Sequence, residues 1–322
     1  MPVSVSPAAR LAIVATLRAG GCVFAEDEAR LLIAEARTQA GLEAMVARRA
    51  AGLPLEQVVG WAEFCGLRIA VEPGVFVPRR RTEFLVRQAT ALAREAAAAT
   101  DAAGATDAAR ATDAAGATDA AGAADAAGAA RPAGAAGAAG AARPPGERLV
   151  VVDLCCGSGA IGAALAAALC PVELHAADID PVAVACARRN LAAAGGRVHQ
   201  GDLFDALPAA LRGRVGLLVA NVPYIPAGEI GLLPPEAREH EPRAALDGGA
   251  DGLDLLRRVA AAAPQWLAPG GHLLIEASER QAADAAAAFA GSALIARTAR
   301  CRELNATVVI GTRPSGGSPA TR

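Results

Sequence analysis

Two hydrogen-bond acceptors in one plane can hold both hydrogens of an NH2 group, and Asn221-Val222-Pro223-Tyr224 offers such a pair. The side-chain oxygen of Asn221 can take one hydrogen and the carbonyl of Val222 the other. Val222 precedes a proline, which biases it toward extended backbone and steadies that carbonyl. Tyr224, the single tyrosine of the chain, supplies a flat ring on which a planar amide or a base can stack. An amide nitrogen is a poor nucleophile because its lone pair is delocalised into the carbonyl. Holding it in line with a methyl donor supplies mainly positioning, a contribution that can reach about 7–11 kcal/mol. The proton becomes acidic only after the nitrogen has attacked, so a strong general base is not required.

The donor half of such a site lies upstream. Leu149-Val150-Val151-Val152-Asp153 reads as a buried strand, and Cys155-Cys156-Gly157-Ser158-Gly159 follows it. Gly157 and Gly159 let backbone approach a ligand and open a helix whose N-terminal amides face it. With Gly162 they match Gly-x-Gly-x-x-Gly, so a nicotinamide cofactor has to be weighed. Asp153 favours S-adenosylmethionine instead: an acid there repels a pyrophosphate but suits a positively charged amino-acid moiety, directly or through water. Asp178, at the end of the next strand, can accept hydrogen bonds from both ribose hydroxyls. Asp202 can take an adenine amino group while Leu203 covers the ring. Each acid has a plainer alternative as a helix cap, as Asp180 before Pro181 illustrates.

These residues need a frame. Strands are expected at 149–153, 173–178, 197–200, 215–220, 271–277, 293–298 and 306–312, with helices at 159–169, 181–194, 251–264 and 279–289. That alternation implies an α/β fold with a mostly parallel sheet covered on both faces. Ligands of such sheets bind at the carboxyl ends of the strands, which brings Asp153–Gly159 and Asn221–Tyr224 to one crevice. Residues 1–60 read as a helical N-terminal unit, with helices at 7–19 and 26–38. Residues 61–95 read as a linker: a β-hairpin over 63–77 turning at Pro73-Gly74, then a helix from Thr82 to Glu95. Residues 96–146 hold a Thr-Asp-Ala-Ala-Gly-Ala repeat decaying into Ala-Gly. They have no large apolar side chain to bury and are expected to be a disordered insertion. Residues 147–313 form the catalytic unit and 314–322 a flexible tail.

Composition narrows the classes further. The formal net charge of −2 argues against a broad nucleic-acid surface. All 31 basic residues are arginine. No apolar run is long enough to span a membrane. Seven scattered cysteines without a Cys-x-x-Cys pair argue against disulfides and structural zinc, which fits a reducing cytoplasm. Four histidines lack metal-ligand spacing, so no metal is expected.

Several separated segments resemble the protein-glutamine methyltransferases that modify release factors. They are Gly52 to Gly60, Glu63-Phe64-Cys65-Gly66-Leu67, Val75 to Glu83, Asn221 to Tyr224, and Glu241 to Leu246 followed by Gly248-Gly249 and Asp251-Gly252-Leu253-Asp254. The resemblance implies a Rossmann-like class I S-adenosylmethionine-dependent methyltransferase sheet. It also implies a protein substrate, the glutamine of a Gly-Gly-Gln loop, held by Asn221, Val222, Pro223 and Tyr224. The implied cofactor residues are Asp153, Cys155, Cys156, Gly157, Ser158, Gly159, Asp178, Asp202, Leu203 and Asn221. Val222 stands where that family usually has proline, and Cys155 where its first glycine would be. Two other readings stay open: an adenine N6-methyltransferase acting on DNA or RNA, and a non-catalytic S-adenosylmethionine-binding protein. Arg79-Arg80-Arg81, the one tight basic cluster, reads as a solvated or docking segment.

Overall fold

The computed structural model describes residues 3–116 and 148–315. Most of the Ala-Gly segment and nearly all of the expected tail lie outside the described residues. The chain opens with α1 (Pro7–Ala19), α2 (Ala25–Glu35), α3 (Gln39–Ala50) and the short α4 (Leu55–Val59). Leu17, Ala25, Ala29, Leu32 and Leu42 form their common core. Helix α2 ends at Glu35, short of the expected boundary at residue 38. Thr38 starts α3 instead of ending α2: its hydroxyl accepts from the Gly41 amide at 3.0 Å, the geometry of an N-cap.

The hairpin is β1 (Trp61–Phe64) and β2 (Leu67–Ala70), antiparallel and in register from Trp61↔Ala70 to Phe64↔Leu67. Its turn is Cys65-Gly66, not Pro73-Gly74. Both turn residues have positive φ, 51° and 75°, the conformation that matches a two-residue loop to the twist of its strands. Pro73-Gly74 makes a separate tight turn in which the Val75 amide donates to the Glu72 carbonyl at 3.0 Å. Helix α5 (Glu83–Gly116) follows. It runs past Glu95 well into the segment expected to be disordered. Alanine is the strongest helix former, and a helix already anchored by packing extends at little cost. Leu85, Ala89 and Leu92, spaced i, i+4 and i+7, provide that anchor.

The rest is one sheet with its helices. In chain order these are β3 (Leu149–Leu154), α6 (Ala160–Leu169), β4 (Val172–Asp178), α7 (Pro181–Leu191), β5 (Arg197–Gln200), β6 (Val215–Ala220), α8 (Pro235–His240), α9 (Asp254–Trp266), β7 (Leu267–Ala277), α10 (Ala282–Gly291), β8 (Ile295–Cys301) and β9 (Ala306–Thr312). The strand order is β5-β4-β3-β6-β7-β9-β8. The first five are parallel, and β9 runs antiparallel to both neighbours. Strand alternation sorts the apolar side chains between two cores. Val150, Val152, Leu218 and Ala220 pack with α9 and α10. Val151, Leu217, Val219 and Leu274 pack with α5 and α6. Among the described residues, no helix is long and apolar enough to cross a membrane.

At the outer edge of the sheet, His175 Nδ1 and His199 Nε2 lie 3.0 Å apart, so one ring must donate to the other. Burial holds both imidazoles below their ordinary range. On His199 the neighbouring His175 adds to this; on His175 the Glu173 carboxylate opposes it. The unfolded rings therefore bind protons first, near pH 6.5. The stability from this pair should be complete above about pH 6.5 and fall as the pH drops through the lower folded values. Melting temperatures measured between pH 7.5 and 5.5 should decline, and His199→Phe should flatten that decline. An equal slope in the variant would show that the pair does not carry the effect.

Candidate active site

The switch point of the sheet lies between β3 and β4 on one side and β6 on the other, and a cleft of about 440 Å³ opens there. Cys155 to Ser158, Asp178, Asp202, Leu203 and Asn221 to Tyr224 all line it. The two motifs therefore do face one crevice, as strand ends in an open α/β sheet should.

Asp153 does not line the wall. It is fully buried, and its Oδ2 accepts from the Gly162 amide at 2.9 Å. A Cβ at Gly162 would lie 3.2 Å from that oxygen, so the glycine leaves room for the acid. The other oxygen, Oδ1, is buried without a partner among the described residues. Burial pushes the carboxyl up to about 7, and nearby Asp178 adds to this while the Gly162 amide opposes it. This arrangement leaves no room for direct ligand contact. It does suit a cation arriving just beyond the loop, because a positive charge would favour the ionised form.

Asp178 shapes the loop as well as facing the cleft. Its Oδ2 accepts from the Gly157 amide at 2.8 Å and its Oδ1 from the Asp180 amide at 3.0 Å. Its neighbour Ile179 is 61% exposed and lines the same cleft. An apolar side chain held open beside a carboxylate is a natural cover for a flat ring, and the sequence reading overlooked it. Asp202 is paired with Arg258, at 2.6 Å. An adenine amino group would have to share that carboxylate with a guanidinium. Leu203 has φ 47° and is buried, with its side chain at the cleft wall.

The second loop begins where β6 ends. Asn221 is half-buried, and among the described residues no hydrogen bond holds its side chain. Val222 is buried. From Tyr224 on, the chain is fastened to the segment after residue 245. Ile225 donates to the Leu246 carbonyl at 3.1 Å, Gly248 to the Ile225 carbonyl at 2.9 Å, and Ala227 to the Gly249 carbonyl at 2.8 Å. The side-chain amide of Gln281 donates to the carbonyls of Tyr224 and Asp251, both at 2.9 Å. The Gly248–Asp254 motif is thus the back support of the loop.

Comparison with known proteins places this geometry. The family described as "Methyltransferase small domain" matches residues 143–229. The release factor glutamine methyltransferase of Geobacter sulfurreducens is 36% identical over 245 residues, covering 76% of this chain and 67% of that protein. Its namesake in Mycolicibacterium smegmatis is 32% identical over 298 residues, covering 86% of each chain. The chain belongs to the release factor glutamine methyltransferase family. The 4-amino-L-phenylalanine/4-methylamino-L-phenylalanine methyltransferase of Streptomyces pristinaespiralis is also similar, 34% identical over 244 residues and 68% of its length.

In this member of the release factor glutamine methyltransferase family, two arginines of the basic cluster are also tied into the fold. Arg79 pairs at 2.6 Å with Glu241, whose side chain is fully buried and also accepts from the Val77 amide. Arg81 pairs with Glu276 at 2.9 Å and donates to the Tyr224 hydroxyl at 2.5 Å. Arg80 has no side-chain partner among the described residues, and both it and Arg81 are exposed, so the segment is solvated as expected yet anchored at Arg79 and Arg81. Asn190 was missed too. Its amide donates to the carbonyls of Ser158 and Ala70, joining the glycine loop to the hairpin. A polar residue on the inward face of α7 was the signal for it.

Cys155 takes φ 53°, so the turn keeps a glycine-like backbone and forces a side chain into it. Burial pushes its thiol far up, which leaves it protonated and unreactive. A left-handed non-glycine residue costs about 1–2 kcal/mol, part of which glycine's greater chain entropy returns. Cys155→Gly should therefore raise unfolding stability by roughly 0.5–1 kcal/mol. A denaturant titration showing a clear loss would mean that the thiol packing outweighs the strain.

Proposed function

We propose that the chain transfers a methyl group from S-adenosylmethionine to the side-chain amide nitrogen of a glutamine, and that this glutamine lies in the Gly-Gly-Gln loop of a peptide chain release factor. One observation carries the reading. The unengaged Asn221 amide and the stacking face of Tyr224 share a cleft with the glycine loop, and Asp153 is buried behind that loop. The residues fit the cofactor. Asp153 keeps an open buried oxygen behind the loop, Asp178 and Ile179 stand side by side at the rim, and Cys155 to Ser158 line the cleft. When bound, S-adenosylmethionine supplies an electrophilic methyl group.

In this reading Asn221 Oδ1 and the Val222 carbonyl take the two amide hydrogens and turn the nitrogen lone pair toward the methyl. Tyr224 covers the amide plane. Residues 1–60 dock the protein substrate, residues 61–95 link them to the catalytic unit, and the enzyme works in the cytoplasm beside its substrate. The test is transfer of labelled methyl to purified release factors, with the Gly-Gly-Gln glutamine changed to alanine as control. Label lost in the control supports both the reaction and the residue. Label on the control protein would overturn the assignment to that glutamine.

A second acceptor class is favoured by one finding. The Streptomyces pristinaespiralis relative is named for a small aromatic amine, also a planar NH2 compound. Phe76, Pro78, Leu233 and Leu246 give this cleft an apolar wall that such a ring could use. Transfer to 4-aminophenylalanine, with none to release factors, would select that reading.

A further inference from the structure

Three adjacent strands carry the chemistry: β3 ends at the glycine loop, β6 at Asn221, and β7 near Glu276. The paired step Ala220↔Ile275 puts Asn221 and Glu276 next to each other across the sheet. Glu276 is 2% exposed, and burying a carboxylate there needs a strong compensating partner. That partner comes from far away in sequence. Arg81 Nε donates to Glu276 Oε1 at 2.9 Å. The Tyr224 hydroxyl donates to the same oxygen at 3.0 Å and accepts from Arg81 Nη2 at 2.5 Å. The guanidinium also lies 5.8 Å from the centroid of the tyrosine ring. The phenol is thus held at its tip from two sides, while its backbone carbonyl is held by Gln281.

Stability does not explain this pair well. Glu276 Oε2 is buried with no partner among the described residues, and an apolar pair of similar volume would avoid that desolvation cost. What the pair does achieve is a fixed phenol beside an unengaged Asn221 amide.

We infer that Arg81 and Glu276 are positioning residues for methyl transfer: together they fix the ring of Tyr224 against the bound acceptor. The inference rests on the methyl-transfer reading above and extends it to two residues outside the Asn221–Tyr224 loop. Arg81 precedes α5 and belongs to the segment that joins the hairpin to the catalytic sheet. The acceptor wall is therefore set by the linker as well as by the sheet.

The single tyrosine makes this testable by a route independent of turnover. Protein labelled with 13C-tyrosine gives ring signals from Tyr224 alone. In Arg81→Met/Glu276→Leu, which replaces the pair by apolar groups, those signals should shift and narrow as the ring becomes free to move. The melting temperature should be unchanged or higher, and the affinity for S-adenosylhomocysteine unchanged. The kcat for the acceptor should fall by about 10- to 100-fold, the scale on which a misplacement of about 1 Å acts. Glu276→Gln keeps an acceptor for the phenol and should restore much of the rate. In a Tyr224→Phe background, removing the pair should cost little further activity.

An unchanged ring signal, or additive losses in the Tyr224→Phe background, would overturn the inference. Should the apolar double variant fail to fold, Arg81→Lys decides in its place, because it keeps the charge and loses the two-pronged contact. If the wild-type protein methylates no release factor and no small amine, the methyl-transfer reading fails. The ring signals still report whether the pair fixes Tyr224.

Discussion

Asn221→Ala should lower kcat for methyl transfer by about 10²- to 10³-fold, the loss seen when one pre-positioned polar group of an active site is removed. The affinity for S-adenosylhomocysteine should stay close to that of the wild type. The geometry separates the two functions. Asn221 follows β6 and faces the cleft, whereas the glycine loop and its carboxylates come from β3 and β4. Its side chain has no hydrogen-bond partner among the described residues, so truncation leaves no protein group stranded. Folding should hardly change. Isothermal calorimetry with the product cofactor, run beside a single-turnover assay, separates the outcomes. Loss of cofactor binding together with transfer would mean that Asn221 holds the cofactor or the loop, not the acceptor.

Gly252→Ala should damage both stability and rate. Gly252 has φ 79°, and a Cβ there would lie 2.3 Å from the Tyr224 carbonyl oxygen and 2.4 Å from Gln281 Nε2. The first of these is backbone and cannot step aside cheaply. Left-handed strain and overpacking together suggest a loss of about 2–4 kcal/mol. Gly213→Ala is the matched control: its φ is 73°, and nothing lies within 4 Å of the added carbon. It should show the strain alone, about 1–2 kcal/mol. Equal unfolding midpoints for the two variants would show that the Tyr224 loop yields easily, contrary to the clamped arrangement. Turnover by the folded Gly252→Ala protein should also fall, because the carbonyl that must move belongs to the tyrosine lining the acceptor side.

Sequence pattern was a good guide wherever the signal was local. The apolar runs at 149–154 and 215–220 are strands within a residue of expectation, since both faces of a parallel strand are buried and its boundaries are chemically sharp. The tetrapeptide at 221–224 falls where strand-end logic puts it. The misreadings came from signals with two meanings. Thr38 read as the end of a helix and is the cap of the next. Pro73-Gly74 read as the hairpin turn, but Cys65-Gly66 turns the hairpin because a cysteine accepted positive φ. The repeat after Glu95 read as structureless, yet its alanines extend α5 to Gly116.

Long-range electrostatics left no local trace. Arg81 and Glu276 are separated by 195 positions, and no spacing rule links an arginine cluster to a glutamate in a distant strand. The pairing of Arg79 with Glu241 is equally non-local. Asp153 is an intermediate case. Its identity and strand end were readable, but its place behind the wall follows from the room that Gly162 provides, which only the packed structure reveals.

Helix α5 enters the sheet's apolar core through Leu85, Val86, Ala89 and Leu92, and the residues that complete the acceptor wall sit just before it. Apart from Phe64 of the hairpin, everything else lining the cleft comes after residue 148. The catalytic centre is in effect a two-piece device whose pieces happen to share one polypeptide. Separately produced halves, residues 1–116 and 148–322, should then regain turnover when mixed. The same division offers a switch: an inducible pairing of the two halves would make methylation depend on a chosen signal.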